Sequence, residues 1–287
     1  MRGLAIGAGA LLLLAPLAAP AVGPSRSWKS AARWSEQTSP KDGPAHAIGA
    51  YDAGCLRGAV ALPPEGTGYE VLHLRRHRFF GHPSLLRFVR HLAERASHRG
   101  FPALLVGDLA QPRGGPTPTD HGSHQSGLDV DIAYTRPASA AHEPLSAGER
   151  EEVRFPAVVD LATRTLDESW NPQVAELLEM AASDPDVDRI FVNAVVKREL
   201  CSHQPEAPWL ARLRPWWGHH DHFHVRLKCP RGDFSCRPQR PVPPGNGCDG
   251  TLAWWLSDAA SAEAGKLRHG ERAAPPRLPT ECRALLE

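Results

Sequence analysis

His222-Phe223-His224-Val225-Arg226-Leu227 alternates apolar and polar residues without a break. In a β-strand, residues two apart project to the same side. Phe223, Val225 and Leu227 would therefore enter a core while His222, His224 and Arg226 stand together on the other face. Leu128 to Ala133 follows the same rule, with Leu128, Val130 and Ile132 on one side and Asp129 and Asp131 on the other. Two strands of this kind, each burying its apolar face, present imidazoles and carboxylates on a common surface. Residues almost a hundred positions apart would thus build one site.

Further elements can be read outward from these strands. Tyr69 to Leu74 shows partial alternation and reads as a strand. Pro83 to Ser97 reads as a helix, because Leu85, Val89, Leu92 and Ala96 fall at helical spacing, Phe88 widens that face and Gly100 is a natural stop. Ala103 to Val106 is a short buried strand, and Gln111 to Gly122, rich in Pro, Gly and Asp, is a loop. Asn171 and Pro172 form the cap and first residue of a second helix, with Val174, Leu177, Leu178 and Ala181 on its apolar side. Ile190 to Val192 is one more strand. Strands mixed irregularly with helices point to an α+β domain rather than a regular βαβ array. The expected organisation is a leader over 1–21, an irregular arm over 22–54, and a single domain over 55–287 whose tail beyond Cys229 wraps the surface.

The sequence has 287 residues, 41% of them hydrophobic, so it can bury a core. Its formal net charge is only +1, which argues against an electrostatic grip on nucleic acid or an anionic membrane. The basic run Arg75-Arg76-His77-Arg78 reads as a solvated face. Arg2, the apolar stretch Leu4 to Leu17 and the small residues Ala19-Pro20-Ala21 form a secretory signal. Pro16 and Pro20 interrupt that stretch, and it is short for a spanning helix. No second long apolar run follows, so no integral membrane segment is expected in the mature chain. Six cysteines in an exported chain suggest disulfides. Cys229 and Cys236 are near enough for a local bridge, and Cys55 and Cys282 could staple the two ends, but sequence alone leaves the pairing open.

Two histidine-rich clusters carry the chemistry: Asp120 to Asp131 and Trp217 to His224. Zinc suits their donors, since it accepts neutral imidazole and carboxylate oxygen in a tetrahedral shell. A catalytic site uses three protein ligands and keeps the fourth position for water, which then ionises near pH ~7. The competing structural account has the histidines merely bonding to Asp120, Asp129 and Asp221. There is no G-x-S-x-G elbow, S-x-x-K motif, H-E-x-x-H helix or phosphate loop to support another chemistry.

The clusters resemble the penicillin-insensitive murein endopeptidase family, within the LAS group of zinc metallopeptidases. The group pattern H-x6-D followed by H-x-H is met by His124 to Asp131 and by His222-Phe223-His224. The longer strings Gly122 to Ile132 and Arg214 through Pro230 look like that family, as do Phe79 to Pro83 and Arg189 to Asn193. The resemblance implies a single domain with a central, mostly antiparallel sheet of the LAS type. It implies Zn2+ on His124, Asp131 and His224, with His222 as a general base or transition-state stabiliser and His219 and His121 in supporting catalytic roles. It implies disulfides joining Cys55 with Cys282, Cys201 with Cys248, and Cys229 with Cys236. The partner would be the peptide stems of peptidoglycan in the periplasm, with the D-alanyl to meso-diaminopimelate cross-link as the bond cut. Position 220–221 departs from the family as His-Asp, which could bind a second metal or tune His222. The less family-like stretch Ala133 to Asp167 would face substrate. A carboxypeptidase of the same fold, or a zinc-containing wall-binding module without turnover, are the alternatives.

Overall fold

The computed structural model describes residues 26–118, 122–140, 143–268 and 277–287. The leader expected over 1–21 lies outside the described residues. Strands β1 (His46–Ala50) and β2 (Ala53–Arg57) make a hairpin, β3 (Val60–Ala61) pairs with β6 (Phe80–Gly81), and β9 (Val159–Asp160) pairs with β10 (Thr165–Leu166). The other strands are β4 (Glu65–Gly66), β5 (Tyr69–Val71), β7 (Leu104–Val106), β8 (Asp129–Ala133), β11 (Val187–Val192), β12 (Leu213–Pro215) and β13 (His222–Leu227). They form one seven-stranded sheet in the order β12-β11-β13-β8-β7-β5-β4. Only β11 with β12 and β5 with β7 run parallel, so the sheet is mostly antiparallel, as the α+β reading requires.

The apolar halves of the alternating strands fill the core. Phe223, Val225, Val130, Ile132 and Ile190 are all fully buried. They share one cluster with the inward stripe of α2 (Pro83–His98), namely Leu85, Phe88, Val89, Leu92 and Ala96. The same cluster takes Val174, Leu177, Leu178 and Ala181 from α4 (Pro172–Ala182), which follows the short helix α3 (Ala147–Glu152). Asn171 caps α4 by accepting from the Gln173 N–H at 3.0 Å, with Pro172 behind it. Both helices thus cover the face of the sheet opposite the titratable side chains.

Two expectations need correction. The strand read over Tyr69 to Leu74 ends at Val71, because His73 takes a left-handed φ of 54° and Leu74–Arg76 turns into a short 3-10 helix. The segment read as an irregular arm instead holds α1 (Arg26–Ser35) and β1. Trp34 is 1% exposed and packs with Ile48, Leu285 and the Cys55–Cys282 bridge. The β1–β2 hairpin therefore crosses the boundary expected at 54–55, and the first and last described segments close on each other. All three disulfides pair as the resemblance implied.

The tail is anchored as well as wrapped. Helix α5 (Ala194–His203) carries Lys197, whose Nζ donates to the carbonyls of Leu210 and Asn246, each at 2.6 Å. Burial, then Arg214, pushes this ammonium down to about 7. A lysine depressed in the folded state binds fewer protons than its unfolded counterpart between that value and the ordinary lysine range. Its contribution to stability must therefore improve as pH rises through this window. Denaturant unfolding of wild type and Lys197→Met at pH 7 and pH 10 should show the difference moving toward wild type at the higher pH. A constant difference would contradict the buried-ammonium account.

Candidate metal centre

The register of β13 against β8 sets His224 opposite Asp131, Arg226 opposite Asp129 and His222 opposite Ala133. On the other flank, β11 sets Phe191 opposite His224. Since Phe223, Val225, Val130 and Ile132 turn inward, these partners share the outer face of the sheet. His124 joins them from the loop before β8. Its backbone has a φ of 65°, and its N–H donates to Asp129 Oδ2 at 3.0 Å. The next residue ties this loop to the N-terminal hairpin: Gln125 N–H donates to Tyr51 O at 3.1 Å, and Gln125 Nε2 donates to Asp52 O at 2.9 Å. The turn of the hairpin, within the segment read as an irregular arm, thus holds one side of the site.

His124, Asp131 and His224 bring one ligand atom each within 4.8 Å of one another, and all three residues are buried. His124 Nε2 lies 3.4 Å from Asp131 Oδ2, and His224 Nδ1 lies 3.0 Å from Asp131 Oδ1. Zinc bonds of ~2.0–2.1 Å at tetrahedral angles put neighbouring ligand atoms ~3.3–3.4 Å apart. Two imidazoles and a carboxylate gathered this closely are a donor set that zinc takes. Burial alone would push the Asp131 carboxyl up, but His124, His222 and His224 outweigh it and hold it well below the usual carboxylate range. Burial would lower His124, yet Asp131 and then Asp129 raise it overall. The pocket is therefore prepared for a carboxylate–cation arrangement.

Asp129 supports the centre. Its carboxylate caps the His124 N–H, lies 3.3 Å from His224 Nε2 and accepts from Arg226 Nε at 2.7 Å. A carboxylate behind a ligand imidazole fixes which nitrogen faces the metal. Arg226 is itself stacked 3.6 Å over Tyr51. Asp129→Ala would leave that guanidinium buried without its partner, so a loss of about 3–5 kcal/mol is expected. Chemical denaturation of the purified variant measures it; a change below ~1 kcal/mol would mean that the pair does not carry the local structure.

His222 Nε2 is 3.9 Å from Asp131 Oδ1, while His222 Nδ1 is 2.7 Å from Asp221 Oδ1. A carboxylate only accepts, so Nδ1 carries the proton and Nε2 faces the centre. His219 stands 5.0 Å from His222, ring to ring, and its Nδ1 donates to Trp217 O at 2.9 Å. Burial, then His222 and His224, drives His219 down to about 3, which keeps it neutral. His121 lies outside the described residues. Asp221 bonds His222, and among the described residues the only group able to hold a metal is His124, Asp131 and His224.

Two neighbours were not singled out from the sequence. Phe191 meets the His224 ring edge-on at 5.4 Å, and Phe155 lies 5.9 Å from His222. Alternation in Ile190-Phe191-Val192 was signal enough for Phe191; for Arg226, placed on this face by alternation, only its grip on Asp129 went unread. Phe155 had none, because it comes from an irregular segment. Gly107 makes room for it, since a β-carbon there would sit 2.8 Å from the Phe155 ring.

A buried His–Asp–His ligand set on a mostly antiparallel sheet, with a further imidazole at its edge, defines a zinc metallopeptidase of the LAS type. Residues 47–287 match the family model described as penicillin-insensitive murein endopeptidase. The chain belongs to that family. It is 36% identical over 263 residues to the penicillin-insensitive murein endopeptidase of Klebsiella pneumoniae (strain 342), covering 90% of this chain and 92% of the relative. It is 39% identical over 264 residues to that of Yersinia enterocolitica, covering 90% and 91%. It is 43% identical over 218 residues to that of Haemophilus influenzae, covering 75% of each.

Proposed function

We propose that this protein is an exported endopeptidase that hydrolyses D-alanyl to meso-diaminopimelate cross-links between murein peptide stems. The observation that carries the reading is the buried His124–Asp131–His224 set at zinc-ligand spacing in a chain of this family. Bound there, zinc would polarise the scissile carbonyl and acidify water. The remaining chemistry falls to the side chains. His222 Nε2 takes the proton of the attacking water and returns it to the departing amine. Asp221 holds the opposite nitrogen protonated and balances the positive charge that His222 acquires. His219, kept neutral and tied to Trp217 O, shapes the wall of the site rather than delivering a proton. The secretory signal read over 1–21 supports export to the periplasm, where that substrate lies. Among the described residues no helix is long and apolar enough to cross a membrane.

Mass spectrometry of cross-linked muropeptide dimers after incubation with zinc-loaded protein tests this reading. Two monomers per dimer are expected. Loss of a terminal D-amino acid alone would move the protein to the carboxypeptidases, and retention of zinc with no product would make it a wall-binding module.

A further inference from the structure

Beside the metal centre lies a cluster of four tryptophans. Trp216 and Trp217 are 5.2 Å apart between ring centroids, Trp217 and Trp255 4.9 Å, and Trp254 and Trp255 5.1 Å. Trp254 and Trp255 come from helix α6 (Gly250–Trp255) in the tail, which the Cys201–Cys248 bridge holds near α5. Trp217 is a support, its Nε1 donating to the Ala260 carbonyl at 2.9 Å. Trp216 and Trp254 are instead open to solvent, at 46% and 44% exposure. Each of these two exposed indoles packs on both Trp217 and Trp255, so together they leave apolar surface on one cluster open to a ligand.

The cluster is continuous with the site. Trp216 meets Phe191 edge-on at 5.8 Å, and Phe191 meets His224 edge-on at 5.4 Å. If the substrate is murein, as proposed above, this position is informative. Each stem peptide is joined to a sugar of the glycan strand, and a four-residue stem spans only about 14 Å when extended. A cross-link held at the metal centre therefore brings pyranose rings to its rim. A pyranose has an apolar C–H face and polar groups at its edge. Flat indoles with an N–H at the margin match that surface. The shelf is built of uncharged rings, which suits an N-acetylated sugar better than the charged stem.

We propose that Trp216 and Trp254 form a sugar-stacking subsite that holds an N-acetylhexosamine of the glycan strand while the attached stem enters the metal centre. The inference rests on the murein reading of the site. It makes the disulfide-held tail part of substrate recognition.

The test compares kcat/KM of the zinc-loaded protein on a dimer that retains its disaccharides and on the same cross-linked peptide freed of sugar. Wild type should favour the sugar-bearing dimer by roughly three- to tenfold. Trp254→Ala and Trp216→Leu should each bring the ratio close to one. Phe234→Ala, at a fully exposed position inside the Cys229–Cys236 loop, should keep the wild-type ratio. A wild-type ratio of one, or a ratio that survives both tryptophan substitutions, overturns the proposal while leaving endopeptidase activity in place. Failure of zinc-loaded wild type to cut either dimer refutes the murein reading, and this subsite with it. Should the variants not fold, tryptophan fluorescence of the unaltered protein decides the matter. Disaccharide-tetrapeptide should shift the emission at concentrations where the bare tetrapeptide does not, and equal responses overturn the subsite.

Discussion

His124→Ala should lose zinc and peptidase activity together. The His124 imidazole is 3% exposed and its Nε2 is 3.4 Å from Asp131 Oδ2, so no solvent-side group can replace it. Removing it leaves one imidazole and one carboxylate, too few for a catalytic zinc site. Since the metal supplies several kcal/mol of transition-state stabilisation, kcat/KM should fall ~10³-fold or more. Metal analysis by inductively coupled plasma mass spectrometry should find far less than one zinc per chain. The backbone N–H of residue 124 still reaches Asp129, so the loop keeps its cap and circular dichroism should match wild type. A variant that keeps stoichiometric zinc would exclude His124 as a ligand.

His222→Ala should separate the two properties that His124→Ala removes together. His222 reaches toward Asp131 only at 3.9 Å, outside the ligand set, while its Nδ1 is held by Asp221. Zinc content should therefore stay near wild type. Loss of the proton carrier should lower kcat by about 10²–10⁴-fold with little change in KM. Asp221→Asn keeps the imidazole but weakens control of its tautomer, so it should fall between wild type and His222→Ala. Full turnover in His222→Ala would remove the imidazole from the mechanism and leave Asp221 without a catalytic purpose.

The parts of the fold governed by periodicity were legible in the sequence. Period-two alternation placed Asp129 and Asp131 on one face of β8 and His222 and His224 on one face of β13, and it is the pairing of those strands that builds the site. Helical spacing likewise found the buried stripes of α2 and α4. Interactions that depend on distant partners were not legible. Nothing local in Gln125 announces that its amide grips Asp52, and nothing in Trp34 announces that its ring closes against the Cys55–Cys282 bridge. Strands of two residues such as β4 and β3 are too short to show a period at all. The tryptophans of α6 belong with Trp216 only because the tail folds back across the site, a placement that sequence spacing does not encode.

The departure at 220–221 gains a physical meaning from the same geometry. Asp221 is turned toward His222, and among the described residues it joins no second group able to hold a metal. The stretch from Ala133 to Asp167 contributes Phe155 beside His222, so it borders the metal centre. The fold thus surrounds one small polar centre with aromatic walls: Phe155 on the His222 side and Phe191 with Trp216 on the His224 side.

The most direct test of the central claim is conversion of purified muropeptide dimers by the mature protein, followed before chelation, after chelation and after zinc is restored. The account predicts that dimers become monomers, that the reaction stops when zinc is withdrawn, and that stoichiometric zinc restores it in wild type but not in His124→Ala. Undiminished cleavage by fully metal-depleted protein would contradict it.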